Sequence, residues 1–146
     1  MWKNGPLNRR VTDAIVSRWK DAKVDKVVGI EARGFIVGAP VAYRLGVGFV
    51  PARKASKLPG RRIRVNYELE YGRQGLEIHS DAISTGDRVL VVDDLLATGG
   101  TAAAAGILVE KVGGIVLGFA FVTELSLLRG RRKLSGRRIQ SLAIYE

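Results

Sequence analysis

Asp93 and Asp94, followed within a few residues by Thr98-Gly99-Gly100-Thr101, are the part of this chain best equipped for chemistry. Two adjacent carboxylates can hydrogen-bond a vicinal diol or hold a divalent cation. A glycine pair opening a helix leaves backbone N–H groups free to cradle a phosphate, and lets the backbone approach it closely. A sugar phosphate presents both partners at about that separation, with the Thr98 and Thr101 hydroxyls as further donors. The plainer reading, a capped helix with solvated acids, accounts for Thr101 but not for two acids beside a glycine pair.

A second candidate is Glu31-Ala32-Arg33-Gly34. Arg33 offers a planar fork suited to phosphate oxygens, although an arginine in such a turn can be purely structural. Arg53, Lys54 and Lys57 cluster into an anion sink, whereas Arg61, Arg62 and Arg64 read as solvated charge. Rival phosphate motifs fail. Gly29 to Gly34 has the outer spacing of a nucleoside-triphosphate loop, but Phe35 stands where lysine is required, and no dinucleotide-type glycine fingerprint follows a strand. With no cysteine and one histidine, thiolate zinc sites, disulfides and cysteine nucleophiles are excluded. His79 reads as an ordinary surface or structural side chain.

The elements that must carry these residues follow from periodicity. Val11, Ile15, Trp19 and Ala22 share one face of a helix over 8–23. Val27 to Ile30 is an unalternating β-branched run, as in a buried parallel strand. Phe35 to Leu45 reads as a helix closed by Gly46, and Val47 to Val50 as a strand leading to Arg53. Ile63 to Tyr71 and Leu76 to His79 read as antiparallel strands around a turn at Gly72 to Gly75, after a loop over 55–62. Arg88 to Val92 is the clearest buried strand. It precedes a loop holding the acids and a helix over 102–112, and Ile115 to Val122 and Ile139 to Tyr145 add two strands, with a basic helical turn over 127–134 between them. The expected fold is α/β, an open and mainly parallel twisted sheet flanked by helices, in one domain over 1–146 with a flexible antiparallel flap at about 55–75.

The net charge of +10 on 146 residues is concentrated in Arg53 to Arg64 and Arg129 to Arg138. Such a distribution attracts anions, whether phosphorylated metabolites or nucleic acid. The second stretch lacks the interleaved aromatics of a single-strand platform, so it reads as a solvated basic face and no nucleic acid partner is expected. No apolar run reaches membrane-spanning length and the start lacks a signal-peptide pattern, so a cytoplasmic location is expected and no membrane partner.

The run Val91 to Thr101 resembles the signature with which type I phosphoribosyltransferases bind 5-phosphoribosyl-1-pyrophosphate (PRPP). Gly29 to Phe35, Val50 to Pro59, Leu69 to Gly72 and Leu76 to Ile78 are similar, in order and spacing, to the adenine phosphoribosyltransferase family, and the similarity runs from about Arg10 to Glu146. The resemblance implies that Asp93 and Asp94 face the ribose hydroxyls, that Ala97 to Thr101 take the 5′-phosphate, and that Arg33, Arg53, Lys54 and Lys57 hold pyrophosphate. It places Glu70 near the purine as the acid managing its proton, with Tyr71 beside it. It further implies Mg²⁺, carried mainly by PRPP, with Asp93 and Asp94 as the side chains able to join in holding it; adenine, AMP and pyrophosphate as ligands; a role in purine salvage; and a homodimer. Members often have a non-proline cis peptide in the Glu31 to Gly34 loop. They also carry a Phe-rich, Asp-containing hood ahead of the first helix, a pattern Met1 to Asn8 does not show, so the reading of adenine as the base rests on the similarity of the rest of the chain rather than on residues that touch the base. A transferase for another base, or a non-catalytic PRPP-binding regulator contacting nucleic acid, stays open at this point.

Overall fold

The computed structural model describes residues 1–69, 71–134 and 136–146. The chain runs α1 (Gly5–Trp19), β1 (Lys26–Ile30), α2 (Arg33–Leu45), β2 (Gly48–Lys54), β3 (Arg62–Leu69), β4 (Gly72–His79), β5 (Arg88–Leu96), α3 (Gly100–Lys111), β6 (Ile115–Leu125) and β7 (Arg138–Tyr145). Two 3₁₀ turns, Ser126–Leu128 and Gly130–Leu134, join β6 to β7. The strands form a seven-stranded sheet in the order β3-β4-β2-β1-β5-β6-β7. Pairing is parallel from β2 through β7, and the β3–β4 hairpin adds to β2 antiparallel through Arg53 and Lys54.

Alternation along β5 shows how the layers assemble. Leu90 and Val92 pack with Val11, Ile15, Trp19, Val37 and Val41 on the side of α1 and α2. Val89 and Val91 point the other way, toward Ala104, Ala105 and Leu108 of α3 and toward Leu76 and Ile78 of the hairpin. Burial on both faces is why these strands read as continuous apolar runs. Trp19 is fully buried, and its indole N–H donates to Gln140 Oε1 at 2.9 Å. The ring crosses β6 at Gly118, where a Cβ would lie 2.4 Å from Trp19 Cη2.

Several boundaries differ from expectation. Helix α1 starts at Gly5, because the Asn4 side chain accepts from the Leu7 amide (2.9 Å) and Pro6 suits the first turn, and it stops at Trp19, leaving Ala22 outside. The hairpin strands pair as far as Leu69 and Gly72, so Gly72 to Gly75 belong to β4 and Tyr71 lies at the tip. The inward face of β3, Ile63, Val65 and Tyr67, fixes that register against α3 and the core. Strand β5 continues through the acids to Leu96, because β6 runs on beside it to Leu125 and pairs with Asp93, Leu95 and Leu96. Asp93 and Asp94 therefore stand on a strand, and the loop is only Ala97 to Gly99.

Candidate active site

The chain passes from β1 outward to β2, then returns to place β5 on the other side of β1. The carboxyl ends of β1 and β5 thus diverge at a topological switch point, where open α/β sheets bind ligands. A cavity of about 350 Å³ opens there. Its walls include Arg33 at the start of α2, Asp93 and Asp94 on β5, Thr101 on α3, Lys54 on β2 and Tyr67 on β3.

Asp93 and Asp94 are unequal. Burial pushes the Asp93 carboxyl up to about 8, and the neighbouring Asp94 charge adds to this, against the Asp94 amide that donates to Asp93 Oδ1 (2.8 Å) and the Arg33 charge. Asp94 Oδ2 is paired with Arg33 Nε at 2.8 Å. At neutral pH the Asp93 carboxyl keeps its proton, so the pair, with Asp94 held against Arg33, can both donate to and accept from a diol. Gly34 makes room for this arrangement: a Cβ there would lie 2.9 Å from Asp93 Oδ1 and 3.1 Å from the Val92 carbonyl oxygen.

The loop Ala97 to Gly99 lines a smaller recess, about 80 Å³, reaching Thr98, Gly100 and Thr101. Gly99 has φ +86° and acts as the N-cap of α3 without a side-chain cap bond. The first-turn amides of α3 are thus available to an anion, and Thr101 lies inside the helix rather than capping it. Gly99 is required twice over, since its φ is left-handed and a Cβ would meet the Gly130 carbonyl oxygen at 2.5 Å.

On the opposite wall the Glu31–Ala32 peptide is cis, as the resemblance implied. Glu31 Oε1 accepts from Arg53 Nε (3.0 Å) and from the Lys54 amide (3.1 Å), tying the end of β2 to the end of β1. The structure therefore brings Arg33, Lys54, Asp93, Asp94 and Thr101 around one cavity, with Ala97, Thr98, Gly99 and Gly100 in the adjoining recess. Arg53 and Lys57 stand outside the cavity. The Arg53 guanidinium is held by Glu31 and by the Lys57 carbonyl oxygen (3.3 Å), and Lys57 is exposed. Tyr71 is 96% exposed at the hairpin tip. Glu70 lies outside the described residues.

Sequence reasoning missed Tyr67, although its alternation with Ile63 and Val65 was visible. It also gave Trp2 no place, whereas Met1 and Trp2 line a second cavity of about 270 Å³ with Leu95 and Thr123, sharing Arg33 and Asp94 with the first. The solvated reading of the basic stretches needs correcting. Arg62 and Arg64 both donate through Nε to Glu77 Oε2, at 3.1 and 3.0 Å. Glu77 is 1% exposed. Burial alone would raise its pKa, but the Ser56 amide and both guanidinium groups overcome that and hold it below the usual carboxylate value. Arg131 grips buried Glu124, Arg137 pairs with Glu110, and Arg138 covers the Trp19 ring at 4.7 Å. His79 meets the Pro59 carbonyl oxygen at 2.9 Å, a structural contact. Among the described residues no cluster of three or more His, Cys, Asp or Glu side chains could hold a metal, and no helix is long and apolar enough to cross a membrane.

The acid pair and the uncapped glycine loop at the switch point can seat a sugar phosphate, and residues 3–135 match the model of the phosphoribosyl transferase domain. The chain belongs to the phosphoribosyltransferase family. Within it, the similarity is to adenine phosphoribosyltransferases. The chain is 61% identical to that of Methylobacillus flagellatus over 140 residues, 94% of this chain and 80% of the relative. The crystal structure of the Thermoanaerobacter pseudethanolicus adenine phosphoribosyltransferase superposes with a TM-score of 0.95 at 50% identity, covering 98% of this chain and 83% of that one. The Saccharomyces cerevisiae enzyme, complexed with adenine and an imino-altritol bisphosphate, does so with 0.90 at 45% identity, covering 96% and 81%.

Proposed function

We propose that the chain transfers the phosphoribosyl group of PRPP to adenine, giving AMP and pyrophosphate. The observation that carries this is the arrangement at the switch point: the Arg33–Asp94 pair and Asp93 face a cavity that continues into the uncapped start of α3. A ribose 5-phosphate fits that sequence of groups, with its hydroxyls on the acids and its phosphate on the amides of Ala97 to Thr101. The anomeric carbon then faces the cavity between Arg33 and Lys54, and the leaving group lies toward the Glu31 to Gly34 loop. The base enters from the cavity lined by Trp2, Leu95 and Thr123. The yeast relative's complex with adenine supports that choice of base.

In this reading the bond from C1′ to the pyrophosphate oxygen breaks with its electron pair leaving on pyrophosphate, and the adenine nitrogen forms the new bond to C1′. The proton on that nitrogen passes to a base, a role that the family resemblance gives to Glu70. Positive charge develops on the ribose ring in such a displacement, and the Asp94 carboxylate nearby favours it. Arg33 and Lys54 hold the departing charge, with Arg53 and Lys57 added from the rim if the 55–75 segment closes, and Tyr71 brought inward with it. Closure also excludes water, which would otherwise consume PRPP. The acid pair Asp93 and Asp94 fits Mg²⁺: PRPP oxygens would supply most of its coordination, and it would neutralise phosphate charge. The reading carries with it a cytoplasmic homodimer serving purine salvage.

The test is pyrophosphate release from PRPP with adenine, guanine, hypoxanthine and xanthine in parallel, for the parent chain and for an Asp93→Asn, Asp94→Asn double variant. Turnover with adenine alone, lost in the variant, is expected. Turnover with another base instead would overturn the base assignment, and PRPP binding without turnover of any base would overturn the enzymatic reading.

A further inference from the structure

The 3₁₀ turn Gly130–Leu134 is docked against the phosphate loop. A Cβ on Gly130 would lie 2.4 Å from the Ala97 carbonyl oxygen, and one on Gly99 would lie 2.5 Å from the Gly130 carbonyl oxygen. Two backbones in mutual contact leave no space for any side chain, so this turn and the loop move as one unit. What holds the turn there is a buried acid. Glu124, 4% exposed near the end of β6, accepts from Arg131 Nε at 2.7 Å and from Arg131 Nη2 at 2.9 Å. Ser141 of β7 donates to its second oxygen at 2.5 Å. The Arg131 bond, helped by Ser141, holds Glu124 below the usual carboxylate value against the effect of burial, so the clamp stays ionised at neutral pH.

Two residues along the same turn stands Lys133. Its Nζ lies 3.7 Å from where a Cβ on Gly100 would be, at the first residue of α3. Tyr67 Cδ2 approaches that same point at 3.7 Å. Arg131 and Arg137, its neighbours in the basic stretch, are engaged by Glu124 and Glu110, whereas Lys133 has no ion-pair partner among the described residues. A lysine ammonium is a compact charge on a flexible stem, able to swing onto an anion seated on the amides beside it.

We propose that Lys133 is a phosphate-binding residue of this site, a side-chain cation that joins the backbone amides of Ala97 to Thr101 on the 5′-phosphate, with Arg131 and Glu124 as the positioning pair that seats it. The inference rests on the transferase reading above and extends it. It divides the 129–138 basic stretch by role: Arg131, Arg137 and Arg138 serve structure, and Lys133 serves the ligand. The 5′-phosphate does not change during the reaction, so a contact to it strengthens ground state and transition state alike and appears in KM rather than kcat.

The experiment is steady-state kinetics of Lys133→Met and Lys133→Arg, varying PRPP and adenine separately, together with calorimetric titration of AMP and of adenosine, which lacks the phosphate. Lys133 is exposed, so the fold is not at stake. Loss of one charge-assisted contact is expected to raise the PRPP KM and weaken AMP about tenfold in Lys133→Met. Adenine KM, kcat and adenosine affinity stay within about twofold, and Lys133→Arg recovers most of the loss. In Arg131→Ala the same PRPP effect appears, and adding Lys133→Met to it brings little more, because the lysine is already unseated. An unchanged PRPP KM and AMP affinity in Lys133→Met overturns the phosphate role, as does a parallel rise in adenine KM. Additive effects in the double variant overturn the positioning role of the pair. If the parent neither turns over PRPP nor binds AMP, the transferase reading itself has failed and this one with it; if the parent binds AMP without turnover, the AMP titrations alone decide for Lys133.

Discussion

Replacing Asp93 with asparagine should make the free protein more stable while removing its activity. The Asp93 carboxyl, at an ordinary 3.8 in the unfolded chain, is pushed to about 8 by burial and by Asp94. Between those values the folded state binds a proton that the unfolded state has released, so folding loses stability as pH rises from about 4 to about 8 and levels off above. At pH 7 the group has been carried roughly 3 pH units past its unfolded value, and at about 1.36 kcal/mol per unit the linkage amounts to about 4 kcal/mol. Asparagine keeps the shape and an acceptor for the Asp94 amide but has no proton to lose. If half of the linkage is realised, about 2 kcal/mol, Tm at pH 7 rises by about 4–8 °C for a chain of this length. The assay is thermal unfolding by circular dichroism of the parent and the variant from about pH 4.5 to about pH 9. The gap in Tm should be small at the acid end, widen toward about pH 8 and then stay constant, while pyrophosphate release is lost throughout. A gap independent of pH, or a variant less stable across the range, would refute the assignment of the proton to Asp93.

Glu77→Ala should destabilise the hairpin side of the sheet by about 1–3 kcal/mol, because it leaves the Ser56 amide and the half-exposed Arg62 and Arg64 without their buried acid; urea unfolding measures it. Because Glu77 is held below its usual value, the parent loses that contribution as pH falls through its folded pKa, so parent and variant should converge in stability at strongly acid pH. Gly34→Ala should lower kcat/KM for PRPP by at least about tenfold with a smaller loss of Tm, since its Cβ pushes on Asp93 Oδ1 and the Val92 carbonyl oxygen in the site; an unchanged kcat/KM would contradict the close approach. Gly118→Ala, far from the site, should destabilise by about 1–3 kcal/mol through Trp19 and the Arg138 carbonyl, with the KM values of the surviving folded protein unchanged.

The elements of the sheet were legible because their physics is local. Val27 to Ile30 and Val89 to Val92 are buried on both faces and so are apolar throughout, and Val11, Ile15 and Trp19 mark one helical face. The acids and the glycine pair were legible for a similar reason: they are neighbours in sequence, so their juxtaposition needs no folding to be seen. Boundaries were harder, since the extension of β5 to Leu96 depends on a partner strand that residues 93–96 do not encode. What only the tertiary structure decided concerns residues far apart in the chain. The Arg33–Asp94 pair joins the start of α2 to β5 at the switch point, and Asp93 owes its proton to burial among segments that composition cannot place. The basic stretches looked solvated because their acids, Glu77 and Glu124, sit on other strands and are buried there, where an unpaired charge would be too costly to keep. Lys133 stands beside Gly100 for the same reason, carried there by a clamp between β6 and a turn. Sequence fixes which groups are available, and the packing of distant strands decides which of them meet, because charge and burial act through space rather than along the chain.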